Sequence, residues 1–267
     1  LNYTDPYFTD DGIARTIGAY RKDVNTNDLS TADFNTYSYG ATVGFGIPLS
    51  EYDAIGVNAT LDVTDIELGA NASQEYIDYC RNLSGSTSTN DCNSDSFTIS
   101  SHFATDTRNN AQFPTEGYSW KVSGDLSMPI FDMRFYQVIA SGEKHWPQGK
   151  NMSLKVRGQV GYADSYGDKK YPFFKNFFMG GPKNVRGFEQ ASIGKKTLNA
   201  VTGAYETTGG KKSMFGSAEF FFPPPGLKNV KSFRLSTFFE GGGVFKNDFE
   251  GDEMVSLFQY CSLFFFS

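Results

Sequence analysis

Histidine and tryptophan are scarce, with two of each. Neither His102 nor His145 stands in a motif with a serine or cysteine, so the groups that usually run nucleophilic catalysis are missing. There is no Gly-x-Ser-x-Gly elbow. The one glycine triplet, Gly241-Gly242-Gly243, lacks the Lys-Ser/Thr that a phosphate loop needs. Asp91, Asn93 and Asp95 have the spacing of a calcium run but no glycine at its sixth position, which favours a solvated loop. The chain is therefore expected to have no catalytic residue, no metal and no cofactor, and not to be an enzyme. Long apolar runs are absent too, and with a mean hydropathy of -0.40 no stretch can form a spanning helix. The net charge of -6 disfavours nucleic acid as a partner. The chain opens at Leu1 without a methionine or a basic-then-apolar leader, which reads as a mature or excised piece. Cysteines are only Cys80, Cys92 and Cys261. The first two lie close together in a polar stretch, which suits a local disulfide in an oxidising compartment, two free thiols being the alternative.

What is abundant is equally informative. There are 26 Phe, 15 Tyr and 28 Gly in 267 residues, enough apolar surface to exclude disorder and too much glycine for a helical domain. The expectation is an all-β protein.

The pattern has a period of two. Tyr37, Tyr39, Ala41, Val43, Phe45 and Ile47 alternate with small or polar residues, and Ile55, Val57, Ala59, Leu61 and Val63 do the same. Strands are expected near 12–24, 34–47, 53–66, 96–106, 117–130, 133–145, 151–163, 213–222 and 231–245, with 1–8 as the tail of an earlier one. Connections near 48–53, 107–116, 129–132 and 223–230 are short. Those near 25–33, 67–95 and 164–212 are long and polar. Strands of this length exceed the ~5–6 residues usual in soluble sandwiches and meet the ~9–11 of membrane strands. Charges such as Arg15, Arg21, Asp62, Lys155 and Arg157 on the second face fit a wet lumen, and aromatics near strand ends fit interfacial girdles. An antiparallel transmembrane β-barrel is expected over 1–250, in preference to a soluble sandwich.

The segment 171–188 is too apolar for a loop in water and lacks a strand period. In a barrel it would pack inside the lumen. Arg186, flanked by Val185, Gly187 and Phe188, would then need carboxylates, and Glu219 and Glu240 are the candidates on nearby strands. A solvated loop arginine beside two unrelated lumen acids is the plain alternative.

Gly180-Gly181 followed by Val185-Arg186-Gly187-Phe188, after an aromatic-Asn-aromatic run ending at Phe177, resembles the long-loop motif of the BamA-type outer-membrane insertases. Asn2-Tyr3-Thr4-Asp5-Pro6-Tyr7-Phe8 and Phe113-Pro114-Thr115-Glu116-Gly117 resemble further segments of that family, in order and over about residues 1–250. The resemblance implies about nine to ten strands of a sixteen-stranded barrel in the bacterial outer membrane, preceded in the family by POTRA domains. It implies folding and insertion of unfolded outer-membrane proteins without cofactor or ATP, among outer-membrane lipids and accessory lipoproteins. It also implies an inward loop whose Arg186 meets Glu219 and Glu240, with Phe177, Gly180 and Gly181 as anchors. Glu240 stands where the family usually has Asp.

Residues 251–267 depart from the family and read as an atypical tail, frame-shifted or cropped. The loop at 67–95 is expected to face outside. Rival readings are a two-partner secretion or translocation-and-assembly barrel with the same loop motif, a passive porin-like channel, and a soluble binding domain.

Overall fold

The computed structural model describes residues 1–26, 34–69, 72–84, 91–149, 151–198, 203, 205–224, 233–246 and 261–266. In chain order the elements are β1 (Asn2–Asp5), β2 (Ala14–Asn25), β3 (Phe34–Pro48), β4 (Asp53–Leu68), α1 (Gln74–Ser84), β5 (Asp91–Asp106), β6 (Gly117–Ser127), β7 (Phe135–Gly149) and β8 (Met152–Ser165). A 3-10 turn (Phe173–Lys175), β9 (Lys196–Leu198), β10 (Tyr205–Thr207), β11 (Lys212–Phe222), β12 (Phe233–Phe245) and β13 (Cys261–Phe266) follow. Each strand pairs with the next in one antiparallel eleven-stranded sheet, except that β8 pairs with β11 and leaves β9 and β10 as a separate ribbon within the long loop.

The alternation predicted from sequence sets which face each strand buries. Val43, Val57, Leu61, Val122, Leu126, Val138, Val156, Val160 and Met214 point outward and are exposed, forming an apolar band. Rings line the two margins of that band. Phe8 meets Phe45 and Phe103 meets Trp120 at the short-turn rim, while Tyr136 meets Tyr162 at the long-loop rim. An outward apolar band between aromatic girdles is the surface a bilayer requires. No helix among the described residues is long and apolar enough to cross a membrane, so the strands are the elements that could span it.

The core lies on the concave side of the sheet, built by loops that fold inward. Phe34, Ile66 and Leu68 from the wall, Tyr76, Tyr79 and Cys80 from α1, and Phe173 from the long loop form one cluster. Met133, Phe135, Ala163 and Tyr171 form a second. Met179, Val185, Ile193, Phe215 and Val244 form the third.

Several expectations need correction. The stretch 67–95 is not one polar loop, because β4 runs on to Leu68, α1 occupies its middle and β5 begins at Asp91. Asp91, Asn93 and Asp95 therefore lie on a strand that pairs with β4, not in a solvated loop. α1 forms because Tyr76, Tyr79, Cys80 and Leu83 recur at helical spacing, with Glu75 in its first turn and Arg81 in its last. Up-and-down pairing also moves the short turn after β6 to the rim of the long loops, and the tight β7–β8 turn to the other rim. Turn length alone had grouped the first of these wrongly. Arg15 and Arg21 share the outward face with Ile17 rather than the lumen, since all three are odd positions of one strand. Each sits near a strand end and lies over a ring. The Arg15 guanidinium is 4.0 Å from the Phe8 centroid and that of Arg21 5.4 Å from Tyr39, as long cationic side chains do when they reach for an interface. Finally, Cys261–Phe266 adds a strand beside β12, so part of the segment read as a tail extends the sheet. Residues 251–260, and most of the expected turns at 25–33 and 223–230, lie outside the described residues.

Candidate functional site

β11 and β12 pair with Ser217 opposite Glu240 and Glu219 opposite Phe238. The two acids thus sit on adjacent strands, offset along them and both facing inward. Only 8% of Glu219 and 6% of Glu240 is exposed. Two buried carboxylates facing one lumen are costly without a counter-charge.

Arg186 supplies it. Its Nε and Nη2 donate to Glu240 Oε1 at 3.0 and 2.6 Å, its Nη1 donates to Glu219 Oε1 at 3.1 Å, and its backbone N–H donates to Glu240 Oε2 at 3.0 Å. The guanidinium carbon lies 3.4 Å from the centroid of Phe238. Ser217 Oγ donates to Glu240 at 3.3 Å and Ser236 Oγ to Glu219 at 2.8 Å. Burial works against the arginine's charge, but the hydrogen bonds and proximity of Glu240 and Glu219 outweigh it and hold the Arg186 pKa above its usual value. This is a network with its donors and acceptors matched, the condition under which buried charge is tolerated.

The neighbours of Arg186 fix its position. Val185 is buried against Met179, Ile193, Phe215 and Val244, with Phe177 and Phe188 packed alongside. Phe177 exchanges two backbone hydrogen bonds with Gly210, at 2.8 and 3.0 Å, and the Ile193 N–H donates to Met179 O at 3.0 Å. Gly180, Gly181 and Gly187 hold φ of +112°, +91° and +86°, where a side chain is strained. At Gly180 a Cβ would also collide with the Glu189 carbonyl oxygen. Arg157, on the lumen face of β8, donates to Lys183 O at 2.8 Å and steadies the loop from the other side.

The same loop reaches α1. Phe173 stacks on Tyr76 with centroids 3.9 Å apart and meets Phe34 and Tyr79 edge-on. A Cys80–Cys92 disulfide ties α1 to β5. Burial pushes the Tyr79 phenol up to about 12 and raises Tyr76 as well. Burial also lowers Lys175, partly offset by Asp62 and Asp125.

Of the site residues expected from sequence, Arg186 meets Glu219 and Glu240, Cys80 meets Cys92, and Val185, Phe177 and Phe188 pack together in the apolar cluster beside them. Phe238, Ser217, Ser236, the contact of Arg157 with Lys183 and the packing of α1 on the loop were not anticipated. Parity could have found the first three, because 236, 238 and 240 share one face, as do 217 and 219. The lumenal position of Arg157 follows from the alternation, but nothing local marks Lys183 as its partner or the docking of α1 on Phe173. No metal-holding group of acids, cysteines and histidines occurs among the described residues.

Residues 1–257 match the Omp85 superfamily domain, and the chain belongs to that superfamily of outer-membrane β-barrels. It is 30% identical over 249 residues to the outer membrane protein assembly factor BamA of Neisseria meningitidis, covering 91% of this chain and 31% of that protein. It is 28% identical over 156 residues to the sorting assembly machinery 50 kDa subunit of Saccharomyces cerevisiae, covering 57% of this chain and 31% of that one. The crystal structure of Haemophilus ducreyi BamA lacking POTRA domains 1–3 superposes with a TM-score of 0.85 at 25% identity, over 92% of this chain and 49% of that chain. Within the superfamily this is a barrel portion of the BamA type, placed in the bacterial outer membrane. The chain spans about a third of the length of the curated relatives it matches.

Proposed function

We propose that this chain is the barrel part of an insertase that folds β-barrel proteins and inserts them into the outer membrane. Its clients would be unfolded outer-membrane proteins and its surroundings outer-membrane lipids. In the complete protein, accessory lipoproteins would assist. The observation that carries the reading is the Arg186–Glu240–Glu219 clamp, which holds an apolar loop inside the lumen.

The clamp suits this activity physically. Four donor contacts from one residue to two adjacent strands make β11, β12 and the loop one rigid body. Any widening of the wall must then occur elsewhere along the sheet. No nucleotide is needed, because a client strand that pairs its backbone groups on entering lipid gains what unpaired groups would lose there, several kcal/mol each. A channel reading is less suited, since the same loop and α1 fill the lumen with buried rings.

The test is reconstitution of the full-length protein in vesicles with an unfolded client barrel. The expected result is client assembly that Arg186→Ala reduces strongly. Large, steady conductance without client assembly would replace the proposal with a channel.

A further inference from the structure

Below the clamp, toward the short-turn rim, lies a cavity of about 270 Å³. Its walls mix Phe113, Pro114 and Phe221 with His145, Lys155, Arg186 and Arg234. We propose that this cavity binds a small organic monoanion, a carboxylate carrying an apolar body.

The Arg234 guanidinium argues for a carboxylate. Glu219, in the same wall, is matched by Arg186, which Glu240 also holds. Lys155, at 3.3 Å, shares Glu143 with Arg108, at 2.6 Å. Arg234 has no carboxylate partner among the described residues. Its guanidinium rests instead on Phe113, 5.3 Å from the ring centroid, on the strand face that also carries Ser236 and Glu240. One planar fork without an acid seats one carboxylate, and the acids already around the cavity, Glu219, Glu240 and Glu143, disfavour a dianion such as phosphate.

His145 is the second, independent observation. It is 3% exposed and lines the cavity, and neither ring nitrogen has a hydrogen-bond partner. The nearest acid oxygen, Glu143 Oε1, lies 3.5 Å from Nε2 without making one. Buried polar groups are nearly always satisfied, so an imidazole with both nitrogens idle beside a cavity points to a missing partner. A carboxylate seated there accepts from the imidazole N–H and from the planar guanidinium fork of Arg234. The rings of Phe113 and Phe221 leave room for an apolar body rather than a hydration shell.

The probe is phenylacetate, titrated calorimetrically into the full-length protein in detergent, with inorganic phosphate and 2-phenylethanol as comparisons. Saturable phenylacetate binding is expected, at least about tenfold tighter than either comparison. Arg234→Gln should weaken it by about tenfold or more, since a hydrogen bond to a charged group is removed. Should Arg234→Gln not fold, Arg234→Lys keeps the charge without the fork and is expected to lose several-fold. The His145 ring signals in NMR should shift with phenylacetate and not with phosphate. Absence of saturable heat, equal binding by phosphate, or undiminished binding by the Arg234 variants overturns the proposal.

Discussion

Arg186 binds Glu240 twice over, through its guanidinium and through its own backbone N–H. The side-chain contact neutralises the acid. The backbone contact fixes where the chain passes it. A lysine at 186 could restore the charge but not the planar fork that reaches both carboxylates.

Arg186→Ala should therefore leave two buried carboxylates uncompensated, a loss of about 3–5 kcal/mol to the docked loop. The expected outcome is faster proteolytic cleavage within residues 164–212 of the full-length variant than of the unaltered full-length protein. Arg186→Lys should fall between the two. Unchanged resistance in Arg186→Ala would remove the clamp from any account of this loop.

The two acids should not be equivalent. Glu240 accepts three bonds from Arg186 and one from Ser217, whereas Glu219 accepts one from Arg186 and one from Ser236. At about 1.5–3 kcal/mol per bond to a charged group, Glu240→Gln should loosen the loop clearly more than Glu219→Gln. Thermal unfolding of the two variants side by side provides the comparison, and equal shifts would contradict the geometry.

The disulfide joins α1 to β5 across a sequence separation of 12. Such a link contributes about 2–4 kcal/mol, mainly by restricting the unfolded segment. Reduction, or the pair Cys80→Ser and Cys92→Ser, should raise amide exchange across residues 74–84 while the wall strands keep their protection.

Phe173 touches Tyr76, Tyr79, Phe34 and Phe174. Phe173→Ala should cost about 3–5 kcal/mol. Because one ring joins two loops, exchange should rise in α1 and in the long loop together. A rise in only one of them would mean that the two are not coupled through this ring.

Much of this was readable in the residues. Strict alternation in segments such as 37–47 and 55–63 marked strands and their outward faces, because a bilayer rewards a clean period of two. The loop motif marked Arg186, and a buried guanidinium in turn required the acids. What escaped had physical reasons. The stripe of α1 is short and lies in a polar segment whose local signals favour loop. Arg15 and Arg21 looked lumenal because charge was read before parity, yet a strand end lets an arginine lean out of lipid over a ring. Cys261–Phe266, a run of apolar residues without alternation, gives no local sign of which strand it will join. Arg234 and His145 carried no motif at all and became visible only when the curled sheet brought β7 and β12 to one cavity.

α1 is joined to two distant parts of the wall. Through Cys80 it is fastened covalently to β5, and through Glu75 it meets Lys246, just beyond β12, at 2.5 Å. It is thus a strut across the mouth of the lumen, with one welded end and one end held by a partly exposed ion pair of about 0–1 kcal/mol. Under a force that widens the mouth, this ion pair is the weakest of the helix's joints, while the Phe173 stack and the wall residues Phe34, Ile66 and Leu68 keep their hold on Tyr76 and Tyr79.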